Sequence, residues 1–115
     1  MRSRPKTLFG VMIEAGGILA ASRALTYLAC WAIVSHKLGH EASVDEFTEY
    51  WRSSRATTYR DRVALTKSLP PGWDIERMHS FVWAARRQYV SKIEADLTEA
   101  TVMRVVAEMR FEVAS

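Results

Sequence analysis

The sequence predicts an all-α fold, a small helical bundle formed as one domain over residues 1–115. Three observations predict it. Apolar residues recur at spacings of three and four along most of the chain, which is the helical period. Turn formers are scarce, with Gly 5, Pro 3 and no Asn, so a many-hairpin β fold lacks the residues its turns need. A chain of 115 residues leaves room for one core of ordinary size. Hydrophobic residues at 49% and charged residues at 25% are the balance of a folded domain, which excludes disordered, collagenous and low-complexity classes.

The first segment, Thr7 to about Ala15, is apolar and helical, and Gly16-Gly17 should break or bend it. A second helix is expected from about Ile18 or Ser22 to Lys37. Leu25, Leu28, Ala29, Ala32 and Ile33 recur there at helical spacing, and Tyr27 and Trp31 widen the apolar face. Such a broad apolar face marks the central helix of a small bundle. Gly39 reads as its C-cap, with His36 and Lys37 in the last turn, where cations suit the helix dipole. Glu14, the glycine pair and Arg23 interrupt the apolar stretch, so no uncharged run reaches the roughly 18 residues of a spanning helix. The basic opening residues are followed by no small-residue cleavage site. No membrane span is expected, and a cytoplasmic location is.

Ser43-Val44-Asp45-Glu46 is a capping box: the Ser43 hydroxyl can take a free amide and Glu46 can reach back to the Ser43 amide. A short helix should follow from about Val44 to Trp51, with Phe47, Tyr50 and Trp51 as its inner face. Residues 52–54 form a turn. Ser54 can cap the next helix, Arg55 to about Ser68, and Pro70-Pro71-Gly72 ends it. Asp74 caps a further helix, onto which Trp73 can staple at Met78. Apolar positions follow at Ile75, Met78, Val82, Ala85 and Tyr89. After a bend near Asp96 to Thr98 they resume at Val102, Val106, Met109 and Val113. This C-terminal helical extension covers about residues 74–113. It starts directly after the prolines, without alternating strands, so no wing is expected.

The window of about residues 43–69 reads short helix, three-residue turn, second helix, which is the arrangement of a helix-turn-helix. The run from Ser54 to Leu65 resembles the recognition helix of bacterial helix-turn-helix transcriptional regulators. Those often read Ser-Arg-x-Thr-(aliphatic)-Tyr-Arg-Asp-x-x-x-Leu; Ser54, Arg55, Thr57, Tyr59, Arg60, Asp61 and Leu65 fall on the pattern. Arg52 stands where the turn usually has Gly, and Thr58 where Val or Ile is usual. The resemblance implies sequence-specific binding of double-stranded DNA by a small transcriptional regulator, of a size that suits a phage or mobile element. It also implies a homodimer that sets two recognition helices in successive major grooves.

The chemistry of the residues agrees. The amides at the start of this helix favour a phosphate. Arg55 and Arg60 can donate paired hydrogen bonds to guanine edges or phosphates. Thr57 can touch a thymine methyl, and the Tyr59 hydroxyl can bond a phosphate. Arg52, Arg62 and Lys67 are candidate backbone contacts. From Arg52 to Lys67 five cations face one anion, a local charge of +4, within a chain of net charge +3. The preceding helix is acidic, with Asp45, Glu46 and Glu49 after Glu41.

Other chemistry is thinly represented. Cys30 is the single cysteine, so there is no disulfide and no cysteine zinc site; on the most apolar helix it reads as an inert thiol. His36 and His40 have metal-ligand spacing, but Gly39 falls between them, so no metal is expected. His79 reads as a surface or boundary residue. No Gly-rich phosphate loop or catalytic triad order occurs, so neither an enzyme nor a cofactor or small-molecule ligand is expected. The C-terminal apolar stripe can serve either core packing or a homodimer seam. The alternative function is a helical protein-interaction module that presents the acidic helix and this stripe to a partner.

Overall fold

The computed structural model describes residues 6–51 and 55–111, and for residues 6, 51 and 55–59 the backbone alone. The chain runs β1 (Lys6–Thr7), α1 (Leu8–Leu38), α2 (Val44–Trp51), α3 (Arg55–Lys67), α4 (Ile75–Ala85), a 3-10 turn (Arg86–Tyr89), α5 (Val90–Ala95), α6 (Glu99–Glu108) and β2 (Arg110–Phe111). This is the expected all-α bundle. Its two strands are two residues long each and pair antiparallel, Lys6 opposite Phe111 and Thr7 opposite Arg110.

Helix α1 organises the rest. Thr7 caps it, its Oγ1 accepting from the Gly10 N–H at 3.1 Å. The glycine pair acts where expected: Gly17 has φ 85° and ψ 166°, outside the helical region, and splits α1 into two arms. A side chain at that conformation would be strained. The longer arm ends at Gly39, φ 80°, whose N–H bonds back to the Ser35 carbonyl at 2.8 Å. Ala24, Tyr27, Leu28, Trp31, Ile33 and Val34 are buried along this arm, and α3 and α6 pack on α1. The helix is long and apolar enough to cross a membrane, with mean hydropathy 1.5 over its most apolar stretch, but 56% of that stretch is buried inside this fold. A bundle's central helix has the same composition for a different reason: its apolar surface meets other helices.

Buried polar groups on α1 fix the path to α2. Trp31 Nε1 donates to the Ala42 carbonyl at 2.9 Å, and the Ala42 N–H donates to Ser35 Oγ at 2.9 Å. The capping box forms as its spacing predicts. Ser43 Oγ accepts from the Glu46 N–H at 3.1 Å, and Glu46 Oε1 accepts from the Ser43 N–H at 3.0 Å. Phe47 anchors α2, edge-on to Tyr27 with ring centroids 5.4 Å apart. Tyr50, expected inside, is 44% exposed. A two-turn helix resting on its neighbour by one edge buries Phe47 and leaves Tyr50 at the rim, where the Lys37 ammonium sits 5.5 Å from its ring centre.

Asp74 caps α4, Oδ1 accepting from the Arg77 N–H at 2.7 Å. The Trp73 ring packs against Phe81 and Phe111, centroids 5.9 and 4.9 Å away, with the Arg77 guanidinium 4.0 Å above it. The bend near Asp96 is present, and Thr98 caps α6. Met78, Val82, Val102, Val106 and Met109 are buried in the one core cluster with α1. The C-terminal stripe is therefore core, and these residues form no free dimer seam. The last segment departs from expectation. Its helix ends at Glu108, and Met109 turns extended, with ψ 131°. The Met109 carbonyl then accepts from the Leu8 N–H at 2.8 Å. Pairing with β1 and burial of Phe111 between Trp73 and Phe81 outweigh the local helical spacing. Val113 lies outside the described residues.

Candidate nucleic-acid interface

Helix α3 lies against α1 through Ala64 and Leu65, with Ser68 just past its end, all buried. The Ser68 hydroxyl donates to the Ala64 carbonyl at 3.0 Å, so the polar group costs little there. Gly16 allows the close approach: a Cβ at that position would stand 2.7 Å from the Lys67 carbonyl oxygen. The other side of α3 faces solvent. Arg60, Val63 and Lys67 occupy it at helical spacing and meet Leu19, Ala20 and Arg23 of α1 across a groove of about 550 Å³. Three cations edge this groove over an apolar floor, and no acid is among its described lining residues. Leu19, 86% exposed, stands at its mouth. Asp61 is partly buried; burial raises its pKa above the usual carboxylate value, against the attraction of Arg23.

The sequence-derived candidates divide into three groups. Arg52 and Ser54 lie outside the described residues, as does the connection between α2 and α3. Arg55, Thr57 and Tyr59 fall in the first turns of α3, whose backbone is helical. Arg60 and Lys67 are brought together on the groove, whereas Arg62 is not. Two residues beyond Arg60, it lies about 200° around the helix. It lines a second cleft on the far side of α3, with Glu41, Glu76, His79 and Ser80. An Arg62 contact to the same stretch of DNA backbone does not fit that placement. Arg23 was not foreseen as part of the face. Its sequence signal is a lone cation in an apolar helix, which must find a solvent edge.

His79 is the clearest reversal. Expected at a boundary, it is 9% exposed. Its ring stacks on Trp31, centroids 4.3 Å apart and planes within 5°, and its Nε2 lies 3.0 Å from the Tyr27 hydroxyl. Burial pushes the His79 pKa down to about 4, and the nearby Arg62 charge adds to this. Burial pushes Tyr27 up to about 12. Both groups are neutral at physiological pH. Burial, with Glu99 and Asp61 adding, raises the half-buried Cys30 thiol to about 12, so it carries no reactive thiolate. His40 is engaged by Glu46 at 2.8 Å. Among the described residues, no group of three or more His, Cys, Asp and Glu converges on a point. Arg86 stacks over Trp83 at 3.6 Å, leaving Arg87 exposed beside it.

No protein-family model, no curated protein and no solved structure matches this chain.

Proposed function

We propose that this protein binds double-stranded DNA through α3, as a small sequence-specific transcriptional regulator of the helix-turn-helix kind. The supporting observation is the exposed basic groove: Arg60 and Lys67 on α3, joined by Arg23 of α1, with no acid among the described lining. Closely spaced cations on one exposed face are what a phosphate backbone selects. In this reading Arg60 reaches a base edge or phosphate in the major groove, and Arg23 and Lys67 hold the flanking backbone. Arg55, Thr57 and Tyr59 extend the reading surface toward the start of α3. A homodimer would place two such helices one DNA turn apart. With the C-terminal stripe spent in the core, it would pair through another face; Ile18, 61% exposed and outside the lining of the groove, offers apolar surface for it. The exposed Ile18 and Leu19, with the acidic α2 and its exposed Tyr50, support the second reading, a helical protein-interaction module.

Fluorescence anisotropy with mixed genomic DNA fragments at two salt concentrations separates the two. Binding is expected at low salt, weakening with a log–log slope near −4 per protomer if about four phosphates are engaged. Arg60→Ala should cost roughly 1–3 kcal/mol if Arg60 reads a base. Arg23→Ala combined with Lys67→Ala should flatten the slope by about 2. Absence of binding at low salt, or undiminished binding by both Arg55→Ala and Arg60→Ala, would overturn DNA recognition through α3.

A further inference from the structure

The second cleft, on the side of α3 away from the basic groove, has a charge arrangement of its own. It measures about 410 Å³ and lies between the loop entering α2, the middle of α3 and the first turns of α4. We propose that it binds a small zwitterion, a molecule of free-amino-acid to dipeptide size carrying one carboxylate and one ammonium group. The volume lies within the range of about 300–1,000 Å³ typical of small-molecule sites.

Arg62 supplies the anion-binding element. Its Nε is buried without a hydrogen-bond partner, and no described carboxylate forms an ion pair with its guanidinium. Tyr27 and His79 both feel the Arg62 charge, and both stay neutral, so neither offsets it. A cation partly withdrawn from water without a counterion is unfavourable. A carboxylate would meet its fork with two parallel hydrogen bonds. The exposed residues of the cleft carry the opposite sign. Glu41 and Glu76 are exposed at the rim, and Glu41 Oε1 is held by the Ser80 hydroxyl at 3.2 Å. A plain anion is repelled by this rim and a plain cation by Arg62. A ligand with its carboxylate inward and its ammonium outward satisfies both. The inference does not depend on DNA binding, because Arg62 takes no part in the groove of Arg23, Arg60 and Lys67.

Thermal unfolding of the whole chain at fixed ionic strength tests it. The probes are the common L-amino acids and glycylglycine at millimolar concentration, with acetate and methylammonium as single-charge controls. At least one zwitterion should raise Tm saturably, while acetate and methylammonium should not. Arg62→Gln and Glu76→Gln should each weaken that binding by about tenfold or more. Glu76 is exposed, so its variant keeps the test open even if Arg62→Gln folds poorly. Three results would overturn the proposal: no shift with any zwitterion, an equal shift with acetate, or equal binding by wild type and Glu76→Gln.

Discussion

His79 links the core to pH. Its folded pKa, about 4, lies below the ordinary 6.5. The unfolded chain therefore binds a proton more readily across that window, and stability falls as pH drops from 6.5 toward 4. At about 1.36 kcal/mol per pKa unit the full effect is at most about 3 kcal/mol. Urea unfolding at stepped pH should show this loss, and His79→Phe, which keeps a ring against Trp31, should flatten it between pH 6.5 and 4. An unchanged pH slope in the variant would assign the acid sensitivity to other groups. The burial of His79 was not legible locally. The stripe of Met78 and Val82 leaves position 79 on the flank of α4, and Trp31 and Tyr27, from a distant segment, stack against it.

Among elements, the ends of helices were the most readable. Gly39, the Ser43–Glu46 box and Asp74 each act through bonds to residues within four positions, so sequence spacing alone specifies them. The two glycines in α1 look alike in sequence and do different things. Gly17 supplies a backbone conformation, φ 85°, that side chains rarely adopt. Gly16 supplies space beside the Lys67 carbonyl. Gly16→Ala should gain up to about 1 kcal/mol of helix propensity. It should lose about 1–3 kcal/mol to overpacking, because the obstructing atom is backbone and yields only if α3 shifts. A net destabilisation of up to about 2 kcal/mol in urea unfolding is expected. Net stabilisation would mean that α1 and α3 have freedom to separate.

At the scale of the whole molecule, the two ends of the described chain are clasped together. The radius of gyration, 13.5 Å, is near the roughly 13 Å of a compact domain of this size. Strands β1 and β2 are too short to be stable alone. Phe111 holds the clasp shut at 1% exposure, against Trp73 and Phe81. Phe111→Ala should cost about 3–5 kcal/mol, the usual range for emptying a buried aromatic site. Because β1 and the start of α1 lean on the same clasp, hydrogen exchange should accelerate at Leu8 as well as near residue 111. If exchange rises only near residue 111, the two ends are energetically separate.

Helix class, helix order and the breaks at Gly17, Pro70 and Asp96 followed from the sequence. Each depends on neighbours within about two turns of the same helix, and the 3.6-residue period carries that information. The tertiary structure alone decided that Arg23 joins Arg60 and Lys67, that a cleft forms beside Arg62, that His79 is buried and that residues 110–111 abandon the helix. Each of these rests on contacts between segments remote in the chain, where burial and close packing outweigh local preference.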